Sequence, residues 1–117
     1  MSLSKIEIIT NMSKLTKLKA ALSKAGVSGM TVIQVLGCGI EKGTFEYEVD
    51  ENEEMELLPK QQINLVVKTE EVPKIIELVK QELYTGHIGD GKIFVYKIEN
   101  AIRVRTDDEG LDALSHK

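Results

Sequence analysis

QINLVVKTEEVPKIIELVKQELYTGHIGDGKIFVYKI, residues 62–98, holds a strand, a helix and a second strand in one uninterrupted run. Gln62 to Val67 alternates with a period of two, so Ile63, Leu65 and Val67 share one face of a strand. Thr69 and Glu70 open a helix, and Pro73 falls in its first turn, where a missing N–H costs little. Val72, Ile75, Ile76, Val79 and Leu83 then recur at helical spacing and form one apolar stripe. Thr85 to Gly91 reads as a glycine-bearing loop. Lys92 to Ile98, rich in β-branched and aromatic residues, reads as the closing strand.

The same order precedes it. Ile6 to Ile9 predicts a strand, and Ser13 is placed to cap a helix whose Leu15, Leu18, Leu22 and Ala25 repeat at spacings of three and four. Gly26 stops that helix, and Met30 to Leu36 predicts a second strand. Gly37 to Pro59 separates the two halves. Two strand–helix–strand units predict an α+β, ferredoxin-like split βαβ fold: a four-stranded antiparallel sheet with two helices on one face and a long loop after the second strand. The chain is expected to be a single domain over 1–117, with a mobile acidic loop at 39–59 and a C-terminal tail at 106–117. Ile8 beside Ile9, Val66 beside Val67, and Ile93 to Tyr96 predict strands that are apolar on both faces. The face without helices should therefore be buried by another copy, with homodimer and homotrimer both open.

Composition narrows the function classes. The 117 residues carry 15 Lys and Arg against 19 Asp and Glu, a formal charge of −4, with 42% apolar content. No apolar run reaches the roughly 20 residues of a membrane span, and the chain does not open like a signal peptide. A soluble, cytoplasmic protein with no membrane insertion is expected. A lone cysteine, Cys38, rules out an intramolecular disulfide and a Cys-rich zinc site. Between Glu46 and Glu56, seven of eleven residues are acidic; without those seven the net charge would be +3. The chain is a mildly basic body with one acidic, self-repelling segment. Without a dense Lys/Arg stripe interleaved with aromatics, nucleic acid is not an expected partner.

Three elements favour anions. Gly86 to Lys92 has the spacing of a phosphate-binding Walker loop, but Ile93 stands where the Mg²⁺-binding hydroxyl belongs, and the loop leaves a helix rather than entering one. It remains a nest of backbone N–H groups beside Lys92. Gly37, Gly39 and Gly43 permit close backbone approach to a ligand, with Lys42 in reach. Arg103 and Arg105, read as one extended segment, share a face and suit phosphate oxygens. A nucleotide phosphate is a common target for all three.

Gly29-Met30-Thr31-Val32, Gly37-x-Gly39-x-x-Lys42-Gly43, Leu58-Pro59-Lys60, Thr85-Gly86-x-Ile88-Gly89-Asp90-Gly91-Lys92-Ile93-Phe94 and Ala101 to Thr106 resemble, in order and spacing, the PII-type nitrogen-regulatory signal proteins. The resemblance spans about residues 4 to 114. It implies a non-enzymatic homotrimer that binds ATP or ADP between subunits and senses 2-oxoglutarate with Mg-ATP. It also implies regulation of a partner, such as an ammonium transporter or a nitrogen-metabolism regulator, through the loop after the second strand. Carried over by position, Thr31, Gly37 and Gly39 line the nucleotide cleft, and Gly89, Asp90, Gly91 and Lys92 hold phosphates. Arg103 and Arg105 add phosphate contacts, in part across the subunit boundary, and Lys60 and Lys42 serve the effector. The departures are Glu41 for a common Gln, Asn11 for a base, Ile40 for an arginine, Asn64 for a glutamate, and Glu53 where some bacterial members have a uridylylated tyrosine. Glu41 would ligate Mg²⁺ beside ATP but repel a dicarboxylate, so weak or absent 2-oxoglutarate sensing is expected. From the residues alone, the competing reading is a small oligomeric enzyme acting on a phosphorylated or carboxylated metabolite.

Overall fold

The computed structural model describes residues 2–39 and 56–114, with the backbone alone at Cys38, Gly39 and Glu56. The strands are β1 (Leu3–Thr10), β2 (Thr31–Gly39), β3 (Glu56–Lys68), β4 (Lys92–Ile98), β5 (Ile102–Arg103) and β6 (Asp108–Glu109); the helices are α1 (Leu15–Lys24) and α2 (Val72–Leu83). β2, β3, β1 and β4 lie side by side in that order, and every neighbouring pair is antiparallel. This is the ferredoxin-like split βαβ topology expected from the repeated halves. Among the described residues no helix is long and apolar enough to cross a membrane.

The core follows the two periodicities. Ile6, Ile8, Ile63, Leu65 and Val67 project from one sheet face onto Leu18 and Leu22 of α1 and Val72, Ile75, Val79 and Leu83 of α2, all buried. Fully burying each such side chain stabilises the fold by about 1.5–3 kcal/mol. The α2 stripe is borne out, with Ile76 partly buried at its margin.

Several boundaries differ from the sequence reading. Ser13 does not cap α1. A 3₁₀ turn, Met12–Lys14, comes first, and Lys14 occupies the cap position of α1 without a side-chain bond. The chain turns at Asn11, whose backbone carbonyl accepts the Lys14 N–H at 3.2 Å. β2 and β3 also run further than their apolar cores, to a last pair at Gly39 and Glu56. Ladder hydrogen bonds need no apolar side chains, so hydropathy did not reveal this extension. The rest of the acidic loop expected at 39–59 lies outside the described residues.

The helix-free sheet face is less apolar than expected. Ile33, Phe94 and Tyr96 are exposed there, but its centre is polar. Glu7, only 13% exposed at its side chain, lies 3.5 Å from the Lys5 ammonium. It accepts bonds from Gln62 Nε2 at 3.2 Å and the Tyr96 hydroxyl at 3.4 Å. The expected tail at 106–117 is corrected too: β5 and β6 form a hairpin, and a 3₁₀ segment, Gly110–Leu114, follows it.

Gly91 joins β4 to the core with φ +111, and a Cβ there would stand 2.4 Å from the Ile9 carbonyl oxygen. Gly91→Ala should cost about 3 kcal/mol from strained backbone and overlap. Gly29→Ala, which meets nothing within 4 Å, should stay within about 0.5 kcal/mol. Chemical denaturation of the two variants checks the difference.

Candidate functional site

The residues singled out above fall into two groups, one at the end of the sheet where β1 finishes and the other where β2 begins. The first gathers around the end of β1. There the loop between α2 and β4 is tied down by Asp90, whose carboxylate accepts the Thr85 N–H at 2.8 Å, the Gly86 N–H at 2.9 Å and, in a short bond, the Thr85 hydroxyl. The buried Thr10 hydroxyl donates to the Asp90 carbonyl at 3.2 Å and fastens the loop to the sheet. Gly86, Gly89 and Gly91 all have positive φ, which lets successive backbone groups turn out of the ladder. Lys92, exposed, begins β4 opposite Ile9. Asp90 thus shapes the loop from within, a role its spacing in the sequence did not disclose.

Beside this loop, the Lys60 ammonium donates to Asn11 Oδ1 at 2.9 Å, and burial lowers the Lys60 pKa. The Lys60 stem covers Gly37, where an added Cβ would meet Lys60 Cγ at 2.9 Å. Gly37 is therefore fixed by close approach of the lysine. Gly39 ends β2, while Glu41 and Lys42 lie outside the described residues.

The second group surrounds a cavity of about 660 Å³ that includes Thr31, Gly29, Asn64, Val66, Ala113 and Leu114 in its walls. The ladder of β3 with β2 stops at Thr31 and Asn64, whereas its ladder with β1 continues to Leu3 and Lys68. Beyond Asn64 the β2-facing backbone edge of β3 carries no ladder bond, and the cavity sits at that notch. Of its lining only Thr31 was singled out as a site residue from the sequence. A notch in a ladder has no hydropathy signal, and the chain's last turn reaches it only through the hairpin.

The arginines also differ from expectation. Arg103 ends β5, but Val104 and Arg105 lie in the turn that follows, so the two guanidiniums do not share one extended face. The turn is closed by the Asp107 N–H donating to the Arg103 carbonyl at 2.8 Å, with Asp107 at φ +60. Thr106 and Asp107, both turn formers, explain the reversal. Arg103 is 15% exposed at its side chain and pairs with Asp108 at 3.0 Å. Among the described residues no cluster of three or more His, Cys, Asp or Glu is placed to hold a metal.

The Asp90 carboxyl feels opposing influences. Burial raises its pKa, but the Thr85 hydroxyl, the Thr85 and Gly86 N–H groups and the Lys14 charge together lower it below the usual carboxylate value. Because the folded pKa lies below the unfolded one, the loop's stabilisation is present above the unfolded value and is lost as pH falls through the folded one. The Thr85 and Gly86 amide resonances should hold steady from neutral pH to the ordinary Asp range, then move together at lower pH. In Asp90→Asn that step should vanish.

Known proteins resemble this chain in sequence and in fold. A family model described as nitrogen regulatory protein P-II matches residues 3–108. The nitrogen regulatory protein P-II of Rhodospirillum rubrum is 44% identical over 112 residues, covering 96% of this chain and all of that one. A solved structure of a B. subtilis GlnK–ATP complex superposes with a TM-score of 0.80 at 39% identity, covering 97% of this chain and 98% of that one. An Arabidopsis thaliana PII bound to citrate gives 0.78 at 31% identity, covering 98% and 92%. The chain belongs to the P-II nitrogen regulatory protein family.

Proposed function

We propose that the protein is an adenine-nucleotide-binding signal protein that assembles as a homotrimer and regulates a nitrogen-related partner through its 39–59 segment. The observation that carries this reading is the placement of two half-sites on the two edge strands of one sheet. Thr31 stands on β2 and Lys92 on β4, with β3 and β1 between them. Three strand spacings separate these edges by about 14 Å. A ligand held by both within one copy would have to lie across the exposed sheet face. Between copies, the β4 edge of one can meet the β2 edge of the next. Such a head-to-tail contact closes into a ring, which also buries the apolar rim of Ile33, Phe94 and Tyr96.

Within this arrangement the cavity takes the base. The unladdered β3 edge beyond Asn64 offers backbone donors and acceptors to adenine, and Met30 and Val66 supply apolar walls. The Gly89 to Lys92 backbone and the Lys92 ammonium take phosphates from a neighbouring copy, together with Arg103 and Arg105. The ATP-bound B. subtilis relative supports the choice of ligand. Mg²⁺ would arrive with the phosphates, with Glu41 as its protein ligand. Lys60, whose ammonium is engaged by Asn11, is a weak anchor for a dicarboxylate, so 2-oxoglutarate adds little.

Lys92→Ala should weaken ATP binding roughly tenfold, the equivalent of one charge-assisted contact, with the assembly unchanged in sedimentation. Calorimetric titration with ATP and ADP measures it; wild-type affinity in the variant would refute the phosphate loop. Because each site draws on two copies, mixed trimers of Lys92→Ala and a Thr31→Arg variant should recover some wild-type sites that neither variant has alone.

A further inference from the structure

The cavity wall made by Ala113 and Leu114 hangs between two anchors. At one end the Ser28 hydroxyl donates to the Leu114 carbonyl at 3.3 Å. At the other, Arg103 Nη2 donates to the Asp112 carbonyl at 2.8 Å. The same guanidinium is oriented by Asp108, whose Oδ2 accepts Arg103 Nη1 at 3.0 Å and the Thr106 hydroxyl at 2.7 Å. The start of the segment is fixed separately: the Gly110 N–H donates to the Ala101 carbonyl at 2.9 Å, and the Asn100 amide reaches Glu109 at 2.7 Å. The hairpin thus holds Gly110 in place without Arg103, whereas the Asp112 carbonyl, between Gly110 and the Ser28 anchor at Leu114, is held by it.

We propose that Arg103 and Asp108 are positioning residues for the nucleotide cavity, a latch that holds the 3₁₀ segment Gly110–Leu114 as its wall. Arginine suits the task because its planar fork bonds a carboxylate and a backbone carbonyl at once, which a lysine ammonium on a flexible stem does poorly. The latch acts on the base side of the ligand. It is distinct from any contact Arg103 makes with phosphate, and it rests on the reading of the cavity as an adenine site.

The two roles predict opposite signs for one variant. If Asp108 merely competes with phosphate for Arg103, Asp108→Asn tightens ATP binding and leaves adenosine unaffected. If Asp108 sets the latch, Asp108→Asn weakens adenosine and ATP by the same factor, about three- to tenfold, the range of one hydrogen bond. Arg103→Lys should likewise weaken adenosine, which has no phosphate. Calorimetric titration of the full chain with both ligands reads the effects. Tighter ATP binding in Asp108→Asn, or unchanged adenosine binding in both variants, overturns the latch. Hydrogen exchange on the nucleotide-free protein gives a second reading: amides 112–114 should exchange faster in Asp108→Asn while the Gly110 and sheet amides hold, and equal exchange overturns it. If the wild type binds neither ligand, the adenine assignment fails, and the exchange comparison alone decides the latch.

Discussion

A four-stranded sheet covered by two helices has one face and two edges that the described residues leave largely open, and the proposed site follows from that constraint. Antiparallel pairing places β1 and β3 in the middle and β2 and β4 at the margins. Whatever the marginal strands carry is held rigidly by ladder bonds yet remains open on one side. Thr31 and Lys92 occupy such positions. Their separation is set by backbone hydrogen bonding, so neither side-chain motion nor local repacking can bring them together in one copy. A site that needs both must be completed by assembly.

The uncovered face serves the same end with a division of labour. In the proposed assembly its apolar rim would supply non-directional attraction between copies. The centre, where Lys5 and Glu7 neutralise one another and Gln62 and Tyr96 satisfy Glu7, contributes little net attraction once desolvated. It does restrict which surfaces fit, because an apolar surface laid on it would strip water from the charges without replacing their bonds. The Lys5 ammonium also lies 5.0 Å from the Tyr96 ring centre, so β1 and β4 are joined by side chains as well as by their ladder. Rigidity here reaches the loop at the other end of β4, since Gly91 packs on the Ile9 carbonyl and Thr10 bonds the Asp90 carbonyl.

Much of this was legible in the sequence, for identifiable reasons. The α2 stripe from Val72 to Leu83 and the alternation of Ile63, Leu65 and Val67 are clean hydropathy signals from which the second half of the fold follows, as the first half follows from Ile6 to Ile9 and the Leu15 to Ala25 spacing. The loop from Thr85 to Gly91 showed itself through glycine spacing. What escaped was set by geometry without hydropathy. Ser13 has the right side chain for a cap, but Asn11 turns the chain two residues earlier. Arg103-Val104-Arg105 looks extended until the turn at Thr106 and Asp107 folds it back. The cavity at Asn64 arises because one ladder stops before the other, a fact about strand lengths that no residue type announces. Asp90 belongs to a glycine-rich motif that reads as ligand-binding, while its carboxylate is engaged by its own loop.

Lys60 and Asn11 show how a single exchange can alter a site without changing its shape. Where the resembling family has a base near the end of the first strand, two cations would repel one another and both would be available to an anion. Here a neutral amide accepts the Lys60 ammonium directly. One positive charge is gone, and the other is engaged and partly desolvated. The stem of Lys60 still covers Gly37, so the packing of β2 on β3 is untouched. The change is confined to electrostatics: the backbone nest and Lys92 are untouched by it, while the part of the cleft nearest β2 and β3 carries one positive charge fewer. Under the proposed reading, nucleotide recognition and carboxylate recognition would be separable in this fold, because they would draw on cations held by different strands.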